Sequence, residues 1–170
     1  MQTDPTPDDD PAFLTSARRW KLFGLSHLPY RILLLAKMID RVTSLHVREE
    51  ASMTLAEWRV ISHVEVMGRC SASEIADAAF VDRAEVSRAV TMLEARRMVE
   101  REPNPRNRRS SLISLTDEGR RIYLAVRGER SKMYEDWLVD LTEAERAQLD
   151  HMLNKVMRRV LLANPGTILG

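Results

Sequence analysis

The chemistry this sequence can do is concentrated in two groups of arginines. Arg83 and Arg88 share a helical face with Ala84, Ser87 and Thr91. A guanidinium can fork onto the O6 and N7 atoms of guanine, and Ser, Thr and Ala can hydrogen-bond base edges or touch thymine methyl groups. Arg106, Arg108 and Arg109 lie in the loop Pro103-Asn104-Pro105-Arg106-Asn107-Arg108-Arg109. Such a loop can reach across a minor groove, where guanidinium groups are drawn to the negative potential. The implied chemistry is recognition of double-stranded DNA. Taken alone, the helix also fits an ordinary solvated amphipathic helix, and the loop a solvated flexible one. Their succession points to DNA.

The elements that must position these groups can be read around them. Ser71 with Glu74, and Asp82 with Glu85, have the spacing of an N-cap and its reciprocal partner, so a short helix is predicted after each cap. Behind Asp82, Val86, Ala89, Val90 and Leu93 recur at helical spacing and predict one buried stripe. Residues 98–102 and 110–115 alternate in part and predict a two-stranded hairpin with the arginine loop at its tip. Helix, tight turn, second helix and hairpin make a winged helix-turn-helix, whose second helix presents its outer face to the bases.

Longer helices flank this head. Residues 28–47 carry Leu28, Ile32, Leu35, Ile39 and Val42 at helical spacing, with Pro29 in the first turn. Thr116 caps a helix running from Asp117 towards Trp137. Thr142 with Glu145 caps a last one, where Leu149, Met152, Leu153, Val156, Met157 and Val160 form a stripe. This is more apolar surface than a small head can cover. Intertwined dimerisation would bury it; a monomer folding these helices inward is the alternative. The expected fold is mainly α: a winged helix-turn-helix with a two-stranded β wing and long terminal dimerisation helices. Residues 1–11 read as a disordered acidic tail, 12–54 as amino-terminal dimerisation helices, 55–116 as the DNA-binding region and 117–170 as carboxy-terminal dimerisation helices.

The chain's 170 residues suggest one domain. The formal charge is only +1, but it is unevenly spread. Between Asp82 and Arg109 there are eight arginines against five acids, the electrostatic footprint of a DNA-reading surface. The amino terminus lacks the basic and apolar regions of a signal peptide. No apolar run approaches the roughly 18 residues of a membrane helix. A single cysteine, Cys70, excludes an internal disulfide and suits a reducing cytoplasm. The four histidines are scattered, and there is no glycine-rich phosphate loop, HExxH or CxxC pair. His46 and Glu50, four apart, read as a surface contact. No catalytic residue, metal site or cofactor is expected.

The segment from Leu55 to Thr116 resembles the MarR family of winged-helix transcription regulators. The resemblance is carried by Glu57-Trp58-Arg59-Val60, Glu74-Ile75-Ala76 and Leu93-Glu94-Ala95-Arg96. It continues through Arg108-Arg109 and Leu115-Thr116-Asp117-Glu118-Gly119-Arg120, and with flanking helices it covers roughly Leu28 to Val160. It implies a homodimer with one recognition helix per protomer in successive major grooves, and minor-groove insertion by Arg109. The chain departs from the family pattern twice. Asn104 and Asn107 stand where the wing usually has aspartates; asparagine still makes Asx-type turns but offers no charge, which predicts a looser, more basic wing. Arg97 stands where a glycine usually follows the recognition helix. Either the helix ends without a left-handed turn, or Arg97 adopts one at a cost of about 1 kcal/mol.

The resemblance also implies a signal. Many relatives bind small anionic aromatic compounds between the dimer helices and the head, so a phenolic or aromatic acid is the expected ligand. Arg31 can pair with a carboxylate, and Trp58 and His63 can supply an apolar wall and a donor. His63 reads equally well as a histidine bonded to backbone. Three functions follow: a ligand-responsive repressor, a redox regulator using Cys70 with Arg69 lowering its pKa, or a helical dimer serving only as an interaction module. The arginines favour the first two. Some relatives sense peroxide through a cysteine near the amino-terminal helix, and the absence of one there favours the first.

Overall fold

The computed structural model describes residues 18, 20 and 24–165; the tail expected over residues 1–11 lies outside them. The chain divides into two units, one ending at Leu45 and the other beginning at His46. In the first, a 3-10 turn, Leu25–His27, leads into α1, Leu28–Ala51, which runs on into the second unit. This is the helix predicted over 28–47, extended by about one turn. Pro29 occupies its first turn, where a missing amide proton costs no helical hydrogen bond. Of the predicted stripe, Leu28, Ile32, Leu35 and Val42 are exposed and Ile39 is half-buried.

The second unit contains α2 (Leu55–Met67), β1 (Cys70–Ser71), α3 (Ala72–Ala79), α4 (Arg83–Ala95), β2 (Val99–Pro103), β3 (Ser111–Leu115), α5 (Asp117–Trp137) and α6 (Glu143–Ala163). Side chains fix where the helices start. Thr54 with Glu57, Ser71 with Glu74 and Thr142 with Glu145 form complete capping boxes. The Thr116 hydroxyl accepts from the Gly119 amide at 3.0 Å. Asp82 caps α4 differently from the expectation. Its carboxylate takes the amides of both Ala84 and Glu85, and no return bond to Glu85 completes a box.

The sheet also differs from the expected two-stranded wing. β2 and β3 pair antiparallel from Val99 opposite Leu115 to Pro103 opposite Ser111. β1 adds a third strand on the far side of β3, with Cys70 opposite Ile113 and Ser71 opposite Leu112. Two residues are too few to show a period-2 pattern, so nothing in the sequence announces this strand.

The core lies among α2, α3, α4 and the inner face of the sheet. Ile61, Ile75, Leu93 and Ile113 are fully buried there, each stabilising the fold by about 1.5–3 kcal/mol. The predicted stripe Val86, Ala89, Val90 and Leu93 is buried throughout. α5 joins the head by close approach: a Cβ on Gly119 would overlap the Met98 carbonyl. That carbonyl also accepts the Thr116 amide at 3.1 Å, so only glycine lets α5 start here. Arg97 has φ 57°. The left-handed turn is therefore taken without its glycine, and the Arg97 carbonyl is held by the Thr116 hydroxyl at 2.7 Å.

Candidate nucleic-acid interface

On α4 the side opposite the buried stripe presents Arg83, Ala84, Ser87, Arg88 and Thr91, all exposed. They do not stand equally free. Arg83 reaches back across the turn to Asp77 at 3.3 Å. The Thr91 hydroxyl donates to the Ser87 carbonyl at 3.0 Å and accepts from Arg101 at 2.9 Å. Arg101 also pairs with Glu94 at 3.0 Å. An arginine of β2 thus clamps the wing to the recognition helix, using a threonine that sequence reasoning assigned to the bases. Arg69, on the approach to β1, pairs with Glu102 of β2.

These pairings consume the segment's acids selectively. Glu94 and Glu102 are matched to Arg101 and Arg69, which serve the scaffold. Among the described residues, Arg88, Arg108 and Arg109 have no carboxylate within ion-pair distance. The positive excess therefore collects on the exposed helix face and the wing.

The wing tip is ordered by its asparagines. The Asn104 side-chain carbonyl accepts the Arg106 amide at 2.9 Å, and that of Asn107 accepts the Arg109 amide at 3.1 Å. Asn104 also donates to the Ser110 hydroxyl at 3.0 Å, which donates to the Asn107 carbonyl at 3.1 Å. These are the turns that asparagine makes without charge. They give the tip a closed hydrogen-bond frame, built from the turns that asparagine can still make in place of aspartate. Between wing, α3 and α4 lies a cleft of about 270 Å³ lined by Ser71, Ser73, Ser87, Arg101, Arg109 and Ser110. Ser71, Ser110 and Arg101 are engaged within the protein there, which leaves Ser73, Ser87 and the Arg109 guanidinium as the donors of a concavity suited to a backbone phosphate.

The chain matches the model of the MarR family over residues 51–110. It is 31% identical over 108 residues to the HTH-type transcriptional repressor MdtR of Bacillus subtilis (strain 168), covering 64% of this chain and 70% of that protein. The chain belongs to the MarR family. This MarR-family regulator is also similar to the crystal structure of a MarR/EmrR family transcriptional regulator from Acinetobacter sp. ADP1. The two are 28% identical with a TM-score of 0.72 over 79% of this chain and 95% of that one. The fold extends to BpsR of Bordetella bronchiseptica, 22% identical with a TM-score of 0.62 over 75% of this chain and 98% of that one. The BpsR structure concerns regulation of DNA binding by 6-hydroxynicotinic acid. The chain is thus a DNA-binding transcription regulator.

Of the three residues expected to hold a ligand, one falls in the first unit and two on α2 of the second. Arg31 belongs to the first unit, where its guanidinium lies 4.7 Å from the centre of the Trp20 ring. His63 has Nδ1 2.7 Å from the Arg59 carbonyl, so this nitrogen carries the proton and donates. That is the backbone-bonded state foreseen as the plainer role. Trp58 is buried and stacks on Tyr123 at 5.6 Å, 17° from parallel. The residue sequence reasoning missed is Arg130 on α5. Its guanidinium lies 5.4 Å from the Trp58 ring centre and 5.0 Å from that of Tyr134. It is 6% exposed and donates to the Tyr134 hydroxyl, while Nη1 is buried with no hydrogen-bond partner among the described residues. A lone arginine on a helix gives no sequence signal of such burial.

Cys70 is not placed as a redox centre requires. It is buried in β1, and burial first, then the charge of Glu74, pushes its thiol up to about 11. Reactive thiols are shifted the other way, towards the thiolate. Arg69, which was to lower that pKa, is engaged with Glu102 instead. Among the described residues no helix is long and apolar enough to cross a membrane.

Proposed function

We propose that the chain acts as a homodimeric repressor that holds a pseudo-palindromic operator and releases it on binding a small aromatic acid. The observation that carries the DNA half is the division of labour among its arginines. Arg101 and Arg69 brace the wing, while Arg88 on the recognition helix and Arg108 and Arg109 on the wing are left without carboxylates. In this reading Arg83, Ala84, Ser87 and Arg88 face the major groove. Thr91 orients the helix through Arg101, and Arg106, Arg108 and Arg109 supply minor-groove and phosphate contacts. Dimerisation is supported by the exposed apolar stripes of α1 and α6. The test is binding to duplexes enriched from a random pool, measured over a range of salt. Arg109→Ala should lower the magnitude of the log–log salt slope by about 1, and Arg88→Ala should change which base is preferred. An unchanged slope for Arg109→Ala removes the wing from the mechanism.

The ligand half rests on Trp58 and on the kinship with BpsR, and the aromatic cluster refines it. A planar acid can stack beside Trp58 and Tyr134 and give its carboxylate to the unpartnered nitrogen of Arg130. Such a ligand must bind the DNA-free state more tightly than the bound one. By reciprocity, operator duplex weakens ligand binding by the same factor. Calorimetric titration of a panel of phenolic acids, with and without duplex, checks this. Equal ligand affinity in both settings contradicts it.

A further inference from the structure

Three non-glycine residues described here have left-handed backbone: Ser52, Phe80 and Arg97. Two are explained by their surroundings. The Ser52 carbonyl accepts from Arg96 at 3.1 Å, and the Arg97 carbonyl accepts from Thr116. Phe80 is the bulky apolar case, with φ 52° and the residue 73% exposed. A large side chain in this region is a conformational outlier, and such outliers are reasonable starting points for a functional hypothesis.

The turn holding Phe80 is fixed on both sides. Its amide donates to the Ala76 carbonyl, and the Val81 amide donates to the same carbonyl at 3.1 Å. The Asp77–Arg83 pair closes the turn from outside. Two residues later Asp82 caps α4, and Arg83 and Ala84 follow at its start. The first turn of a recognition helix is the part that meets base edges. At no more than about 3.6 Å per residue, the Phe80 backbone lies within about 11 Å of Arg83. Phe80 is thus an exposed apolar residue on a hydrogen-bonded turn three positions before Arg83, at the reading end of the helix. An apolar side chain at that place matches the one apolar group on the major-groove floor, the thymine methyl.

We propose that Phe80 is a specificity-determining residue that contacts a thymine methyl at the base step next to those read by Arg83 and Ala84. The inference rests on the DNA-reading function above. It is tested with duplexes enriched from a random pool by the native protein, each thymine replaced in turn by deoxyuridine, which removes only the methyl group. The native protein should lose about three- to tenfold in affinity at one symmetric pair of thymines. Phe80→Gly suits the left-handed backbone and keeps the fold. It should bind thymine and uracil duplexes equally at that pair, while keeping the base preference that Arg88 confers. Native-like discrimination by Phe80→Gly, or no thymine whose methyl matters, overturns the proposal while leaving the DNA reading intact. Failure of the native protein to enrich any duplex overturns both.

Discussion

α2 and α6 are helices of the same unit with opposite fates. α2 buries Glu57, Trp58, Val60, Ile61 and Val64 within thirteen residues. α6 has twenty-one residues and buries none, although Leu149, Met152, Leu153, Val156, Met157 and Val160 recur along it at helical spacing. Both begin with a complete capping box, so local start signals do not separate them. The difference lies in where their apolar faces find cover. The head is finished by its own chain, whereas α6 has a stripe that its own chain leaves open. A fold in which one part is self-sufficient and another is not is what an obligate assembly of reading heads would use.

The largest test of this contrast is to remove α6. Ending the chain after Leu141 should leave a head that still melts cooperatively but yields monomers. Operator affinity should fall at least a hundredfold, because in the proposed dimer each head meets half the site. Light scattering and binding on the same sample check both halves. A dimer surviving truncation would mean that α6 has no part in assembly.

The next test attacks the self-sufficient side. Arg96 donates to the Ala51 and Ser52 carbonyls at 2.8 and 3.1 Å and lies near the buried Glu57 carboxylate, at 3.9 Å. Arg96→Ala leaves these acceptors without their donor and should cost about 1–3 kcal/mol, read by urea denaturation. An equal loss in the protein lacking α6 would place the effect inside the head. A loss confined to the full chain would move it to the assembly.

How much of this was legible in the sequence depended on range. The Ser71–Glu74 and Thr142–Glu145 boxes, the α4 stripe and the wing hairpin within a residue of its bounds all rest on neighbours a few positions apart. The Arg101–Thr91 clamp, the Arg96 staple, the burial of Arg130 and the third strand at Cys70 rest on distant partners, which spacing does not encode. Two details were settled by local geometry that spacing does not specify. Asp82 is the predicted cap, but its carboxylate takes the Ala84 and Glu85 amides and no return bond comes from the Glu85 side chain. Asn104 and Asn107 order the wing through hydrogen bonds rather than charge.

A smaller effect comes from Arg97. Its left-handed backbone means that Arg97→Gly should stabilise the head by about 0.5–1 kcal/mol, seen as a raised urea midpoint with unchanged slope. No gain would mean that the turn's carbonyl bond to Thr116 already offsets the strain. The smallest is the alkaline behaviour of Cys70. Its pKa rises from an ordinary 9.0 to about 11 because burial disfavours the thiolate. The stability this contributes is fully present below pH 9.0 and is lost as pH climbs through about 11. Native protein should therefore lose more stability across that window than Cys70→Ala, and its thiol should react slowly with a disulfide reagent at neutral pH. Fast reaction would restore the redox alternative.

The Arg96 staple also sets an order of events during synthesis. The carbonyls of Ala51, the last residue of α1, and of Ser52 just beyond it are closed by a side chain 45 and 44 positions downstream. A chain made from its amino terminus therefore carries α1 with a frayed end until the whole recognition helix has left the ribosome. Closing a loop of that length costs entropy that only the packed head returns. The nascent helix, with its apolar stripe exposed, is held in check late, and slow translation through residues 52–96 would lengthen the interval in which it is open to mispairing.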